Sequence, residues 1–225
     1  LEFNHCTMHY NEYRFANGIE LSSDASLSFK DCSIICDGLD DDTFIRGDGC
    51  EQLSFENCTF KDCSNFLCIN LDGITRSFNM SHCQLVNCFD KFISVDMVES
   101  ATSSITDTKI VEDDVADFNQ ENGLFCGVIN LIKIHVLDDG LTCTLANNTV
   151  EEKNSFKRAG VKAGLSDNEI AYFDVENAEI KQCSFLNANN CIALNNGKIT
   201  DCKFTSCCNV IASNNCSPDK ALTVD

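Results

Sequence analysis

Several residue types that globular proteins use freely are scarce in this chain of 225 residues. It contains one proline and no tryptophan, and a single proline is far below the average usage of ~5%. It has 16 lysines and arginines against 35 aspartates and glutamates, a formal net charge of −19. Such a charge argues against nucleic acid, anionic membranes and polyanionic substrates, all of which need basic surfaces. No apolar run reaches the ~18 residues of a membrane span.

Hydrophobic residues and cysteines are abundant by contrast. Hydrophobic residues make up 44% of the chain, and 17 residues are cysteines. This composition predicts a real core and excludes intrinsic disorder. We expect a single domain over residues 1–225 that is part of a longer chain. No basic segment followed by an apolar one marks a signal peptide at the start.

A short pattern recurs along the chain and sets the expected fold. An apolar residue is followed by two variable residues, a cysteine, one variable residue and a second apolar residue, as in Phe55–Phe60. We call the cysteine position the slot. In successive copies the slot holds Cys6, Cys32, Cys58, Cys83, Thr108, Asn148, Cys183 and Cys202. The first four steps are 26, 26, 25 and 25 residues, and the later ones are 40, 35 and 19. A regular period that widens later indicates loop insertions between repeats.

Each repeat also contains a second apolar stretch of strand length, such as Phe66–Ile69 or Phe92–Val95. These stretches are bounded by turn-forming residues and lack a helical period, so each repeat predicts two or three short strands. We therefore expect an all-β fold, a right-handed parallel β-helix (solenoid) of about eight or nine coils. Proline cannot donate to such a ladder, which explains its near absence. Leucine-rich repeats are the main competitor, but their LxxLxL core is missing.

Units such as Leu53–Cys63 and Gly197–Cys207 give the chain a family resemblance. It resembles right-handed parallel β-helix proteins of the pectin-lyase-like kind. It is also similar to large protist surface proteins that are related to the polymorphic outer membrane proteins of chlamydiae. The resemblance implies the β-helix fold and leaves function open, because such helices serve as lyases, adhesins and inert scaffolds.

The cysteines allow three interpretations. Stacked slot cysteines of successive coils would form an inward ladder of small hydrophobic side chains, and this is the interpretation we favour for Cys6, Cys32, Cys58, Cys83, Cys183 and Cys202. A metal or redox site is disfavoured because no Cys-x-x-Cys pair occurs. Disulfides between adjacent coils would be strained. We therefore expect mostly free thiols, with one or two bridges near the end at Cys207, Cys208 or Cys216.

Two insertions interrupt the repeats, near residues 112–126 and 151–167. The second is the only basic island of the acidic chain, and a loop on a regular scaffold often carries function. We therefore predict a partner-binding site at Lys153, Lys157, Arg158 and Lys162, although a tolerated insertion explains the loop equally well. The acidic clusters at 40–42, 112–114 and 138–139 fit solvated turns better than calcium ligands. We predict no metal and no cofactor.

The leading function hypothesis is a non-catalytic structural or adhesive scaffold that binds proteins or self-associates through its end coils. One alternative is a carbohydrate-active enzyme, a polysaccharide lyase or glycosidase, although no catalytic pair stands out in the sequence. Another is an intracellular fibre or cytoskeleton-associated scaffold. The sequons at Asn57, Asn79, Asn147 and Asn215 slightly favour a cell-surface or extracellular setting. Turn chemistry explains Asn57 and Asn147 as well.

Overall fold

The computed structural model describes residues 1–10, 18–36, 43–63, 68–88, 92–98, 103–112, 131–136, 143–153, 172–188, 191–207, 210–212 and 222–224. These residues form 23 short β-strands, and no helix occurs among them. Every recorded strand pairing is parallel. It follows that none of the described part of the chain crosses a membrane as an apolar helix.

The larger sheet has 15 strands and consists of two arms that meet at its longest strands. The first arm contains β1 (Glu2–Asn4), β4 (Ser26–Lys30), β7 (Cys50–Glu56), β10 (Thr75–Ser81), β13 (Ser104–Thr106) and β16 (Cys143–Ala146). The second arm contains β3 (Ile19–Leu21), β6 (Ile45–Gly47), β9 (Ile69–Leu71), β12 (Ile93–Val98) and β15 (Ile132–Val136). The arms join at β18 (Phe173–Lys181) and β20 (Ile192–Thr200), and β20 also pairs with β22 (Ile211–Ala212) and β23 (Leu222–Val224).

The smaller sheet has eight strands, one from each repeat. They are β2 (Thr7–Tyr10), β5 (Ser33–Cys36), β8 (Thr59–Lys61), β11 (Gln84–Val86), β14 (Lys109–Glu112), β17 (Thr149–Glu152), β19 (Ser184–Leu186) and β21 (Lys203–Thr205). A strand of this sheet directly follows each strand of the first arm, across a corner of two residues that includes the slot.

Strands that follow one another along the chain do not pair; each pairs with its counterpart one repeat away. Phe29 of β4 lies in register with Phe55 of β7, and Phe55 with Met80 of β10. We call each repeat a coil; its strands are hydrogen-bonded to their counterparts in the repeats before and after it. The all-β, parallel-strand prediction is confirmed, and the arrangement is consistent with a β-helix or solenoid-like fold.

Alternation along each strand builds the core. In β4, Leu27 and Phe29 are buried while Ser28 between them faces outward. The rings of Phe3, Phe29 and Phe55 stack in successive coils, with centroids 5.1 and 5.0 Å apart. Burying such a ring contributes ~1.5–3 kcal/mol, and each stacked pair adds ~0.5–1.5 kcal/mol. The interior is thus a column of side chains that share one position in the repeat.

Candidate functional site

Each slot lies at a sharp corner between the first arm and the eight-stranded sheet. The residue before every slot has a positive φ between 51° and 57°, in the left-handed region. These residues are His5, Asp31, Asn57, His82, Asp107, Asn147, Gln182 and Asp201. Asparagine and aspartate tolerate this conformation better than most residues. The corner thus accounts for the two sequon asparagines at 57 and 147 without a glycan.

Backbone hydrogen bonds at the corner align the slots of neighbouring coils. The amide after each slot donates to the slot carbonyl of the preceding coil: Thr59 to Cys32 and Gln84 to Cys58, both at 2.8 Å. Ser33 donates to Cys6 in the same way, and Lys203 to Cys183. Cys6, Cys32, Cys58 and Cys83 therefore occupy four successive coils, and Cys183 and Cys202 occupy two more. Thr108 and Asn148 fill the coils between these groups.

The slot thiols are hydrogen-bond donors as well as core side chains. The single S–H proton of Cys58 is shared between the carbonyl of Glu56 in its own coil and that of Phe29 in the preceding coil, each with a sulfur–oxygen distance of 3.4 Å. The same two bonds recur at Cys32, Cys83, Cys183 and Cys202. We expected small hydrophobic side chains here; the structure adds a polar role, because each thiol is hydrogen-bonded to backbone carbonyls at the corner. The carbonyl of Glu56, for example, accepts from both the Cys58 thiol and the Asp31 amide.

Thr108 and Asn148 perform the same task with different chemistry. The Thr108 hydroxyl donates to the carbonyl of Thr106, two residues earlier, as each slot thiol does. The Asn148 amide donates to the carbonyl of Ile105 at 2.8 Å and accepts a hydrogen bond from the Thr108 amide at 3.0 Å. Since neither residue can form a disulfide or bind a soft metal as a thiolate, the common requirement of the slot is a small donor.

Burial keeps the thiols of Cys50 and Cys143 protonated, whereas hydrogen bonds with the Cys83 and Cys183 thiols lower the pKa of the slot thiols Cys58 and Cys202 to about 7. Burial raises the pKa of Cys50 to about 11 and that of Cys143 to about 12. A hydrogen bond with the Cys58 thiol, together with burial, raises the pKa of Cys83. A neutral thiol is the form that can donate to a carbonyl, so ionisation would remove the corner bonds.

The cysteines with described side chains are free thiols, including Cys207. Cys208 and Cys216, which we considered as partners in a terminal bridge, lie outside the described residues. A second set of corner thiols, Cys63, Cys88 and Cys207, donates to backbone carbonyls as the slot thiols do. Within the described ranges, no group of three potential ligands could hold a metal ion.

Several basic residues on the strands of the larger sheet form ion pairs between neighbouring coils. Lys30 forms an ion pair with Glu56 at 2.9 Å, across neighbouring strands of the first arm. Arg46 pairs with Glu20 at 3.6 Å on the second arm. Opposite charges in register across strands support that register. Exposed pairs of this kind contribute only ~0.2–1 kcal/mol each.

One group of titratable side chains on the second arm is a candidate for chemistry. His135 of β15 lies 3.8 Å from Asp174 and 3.9 Å from Glu176, both on β18, with one carboxylate at each ring nitrogen. Lys133 is in register with Asp174. No sequence motif marks this group, because the two strands are separated by an insertion whose length no repeat pattern determines.

Of the predicted partner-binding residues, the structure describes Lys153. It is exposed and directly follows the last residue of β17. Lys157, Arg158 and Lys162 lie outside the described residues, so a partner-binding site at these four residues stays a prediction. The first residues of both predicted insertions belong to strands of the eight-stranded sheet. Glu112 is the last residue of β14, and Glu151 and Glu152 belong to β17. The rest of both insertions is outside the described residues, as are the acidic clusters at 40–42 and 138–139.

The outward face of the eight-stranded sheet carries features that the sequence reading missed. Val86 and Leu186 point outward from this sheet, and Leu186 is 37% exposed. Lys109 and Lys203 are exposed on the same face. Adjacent apolar residues such as Leu85 and Val86 could have predicted this, because one of two successive residues in a strand must face outward.

Comparison with protein-family models, with curated proteins and with solved structures yielded no match to this chain.

Proposed function

We propose that the chain is a right-handed parallel β-helix of about eight or nine coils that serves as a non-catalytic structural or adhesive scaffold. In this role it binds proteins or assembles with other chains, at the cell surface or outside the cell. The observation that carries the proposal is the corner ladder, whose hydrogen bonds recur from the coil of Cys6 to the coil of Cys202. A repeated bonding unit gives a stiff rod with side chains spaced ~4.8 Å apart along its faces.

The use of charge supports the same proposal. Basic strand residues such as Lys30, Arg46 and Arg76 lie against carboxylates of the neighbouring coil, where they reinforce register. Residues used in this way stabilise a framework and are not gathered around a substrate. Handedness follows from the rule for parallel crossovers, which are right-handed in ~98% of cases.

A carbohydrate-active enzyme is the second candidate, and the group around His135 favours it. Asp174 and Glu176 lie two residues apart on one strand, and each places a carboxylate oxygen within 3.9 Å of a different ring nitrogen of His135. Paired carboxylates at roughly 5–10 Å are what glycosidases use as acid and base or nucleophile. A neighbouring imidazole could tune or exchange protons with either carboxylate.

Incubation of the purified chain with neutral and acidic polysaccharides tests the choice between these functions. Product formation is followed as new reducing ends and as unsaturated sugar absorbance, with the Asp174→Asn variant as control. The scaffold proposal expects both proteins to leave every polysaccharide intact. Turnover by the native chain that Asp174→Asn abolishes would overturn it in favour of the enzyme.

A further inference from the structure

Two lysines of the eight-stranded sheet are available for a partner. Lys109 of β14 and Lys203 of β21 each lie one residue after a slot and are exposed on the outward face. Within the described ranges, neither lysine forms an ion pair. This distinguishes them from Lys30 and Arg46, whose charges are matched by the adjacent coil.

Two carboxylates border the same face with the same spacing. Asp107 and Asp201 are exposed at the corner, each two residues before one of these lysines. Backbone pairing through the two intervening coils places Asp201 three coils from Asp107 and Lys203 three coils from Lys109. Three coils correspond to ~14 Å. The acidic corner of one rod therefore has the same charge spacing as the lysines on the face of another.

The face also presents apolar side chains next to the lysines. Ile35 and Val86 are half-buried at outward positions, and Leu186 is exposed there. The first arm differs, because its outward positions hold small polar residues such as Ser54, Asn79 and Ser104. On the eight-stranded sheet, the apolar side chains alternate with charged ones along one row of the face, because Lys61 lies between Ile35 and Val86 and Glu151 lies beside Leu186. Protein interfaces combine apolar and charged groups in the same way.

We propose that the outward face of the eight-stranded sheet binds the acidic corner of a second copy of this chain. Asp107 and Asp201 of one copy then pair with Lys109 and Lys203 of the next. This inference rests on the proposed scaffold function and identifies the surface through which the scaffold assembles.

The charge of the molecule makes this contact selective. Two chains of net charge −19 repel each other in most orientations, whereas the lysine-bearing face attracts carboxylates. The corner and the face are different surfaces, so the contact is heterologous. In a pair of copies, the face of one and the corner of the other remain free to bind further copies. Repetition gives a side-by-side array of rods and not a closed dimer.

Sedimentation analysis of the purified chain over a range of concentrations tests the contact. Removal of both lysine charges in K109Q/K203Q should weaken association about tenfold, the sum of two surface ion pairs. The matched control S54E/S104E changes the net charge equally, by −2, on the first arm. We expect it to associate as the native chain does. Salt at ~1 M, where the Debye length is ~3 Å, should also disperse the assemblies.

Charge reversal adds a rescue experiment. K109E/K203E and D107K/D201K should each fail to associate alone, and their equimolar mixture should associate again. A long side chain fits the left-handed corner, since Gln182 occupies an equivalent position. Absence of association by the native chain at any concentration would overturn the proposal, as would loss of association in S54E/S104E but not in K109Q/K203Q. Either result leaves the polysaccharide assay, and with it the scaffold proposal, unaffected.

Discussion

The corners of the early coils and the corners of the middle coils form the same backbone hydrogen bonds with different side chains. At Cys58 and Cys83 a buried thiol shares its proton between two carbonyls, one in its own coil and one in the preceding coil. At Thr108 and Asn148 a hydroxyl and an amide make the corresponding bonds. The backbone is the same in both regions, with a left-handed residue before the slot. The comparison shows that the corner selects a compact donor and has no need of thiol chemistry.

Loss of the Asn148 hydrogen bonds should have the largest effect on the free energy of unfolding. Asn148 is fully buried and joins the Thr108 amide to the Ile105 carbonyl. Asn148→Leu keeps the volume but leaves both backbone groups without partners, each at ~1–3 kcal/mol. We expect the free energy of unfolding, measured by urea titration, to fall by about 3 kcal/mol. The exposed neighbour provides the control: Asn147→Asp should change it by less than ~0.5 kcal/mol.

A comparison of serine and alanine separates donor cysteines from purely apolar ones. At Cys58, serine retains a donor and should cost ~1 kcal/mol, whereas alanine loses it and should cost ~2 kcal/mol. Cys143 is equally buried, but within β16 and with a pKa raised by burial alone. There serine introduces a hydroxyl without a partner and should be the worse substitution. The same order at both positions, in thermal or urea unfolding, would contradict the donor role.

Substitution of the left-handed residue before the slot should have a smaller effect on stability. Asn57→Val places a β-branched residue at a φ of 54° and should cost ~1–2 kcal/mol. Asn57→Gly should be nearly neutral, because glycine adopts this conformation freely. Thr59→Val, two residues away on β8, should be tolerated in the strand. Equal effects of valine at 57 and 59 on the urea midpoint would show that the corner conformation is not required.

The smallest predicted effect is a loss of stability at alkaline pH. Burial raises the pKa of Cys143 from 9.0 to about 12, so above pH 9 the unfolded chain releases this proton while the folded chain retains it. Stability is therefore complete below pH 9 and declines as pH rises towards 12. The stability lost through Cys143 between pH 8 and pH 10 is about 1.4 kcal/mol. Cys143→Ala should flatten the decline in urea midpoints between pH 8 and 10, and an unchanged slope would refute this assignment.

The repeat spacing was sufficient to predict an all-β, parallel, coiled architecture. It sufficed because a slot recurring every 25 or 26 residues can bury its side chain only if successive coils stack. The polar residue before the slot was also recognised as a turn signal, and the positive φ values at Asp31 and Asn57 give its physical reason. Finer features, such as handedness and the number of coils, remain predictions.

The parts that sequence reading missed depend on contacts between residues far apart in the chain. His135 meets Asp174 and Glu176 across an insertion of unpatterned length. The slot thiols were predicted to be purely hydrophobic, because the sequence does not show which backbone carbonyls a cysteine contacts. The repeat pattern assigned no face to Val86 and Leu186, which point outward from the eight-stranded sheet.

Hydrogen exchange of assigned backbone amides tests the coil-to-coil corner ladder most directly. The amides of Thr59, Gln84 and Thr149 donate to the slot carbonyls of Cys32, Cys58 and Thr108. The ladder predicts that all three exchange through global unfolding, with the same free energy as the central strands. Exchange of these amides at the rate of an unstructured chain, while β7 and β10 stay protected, would contradict it.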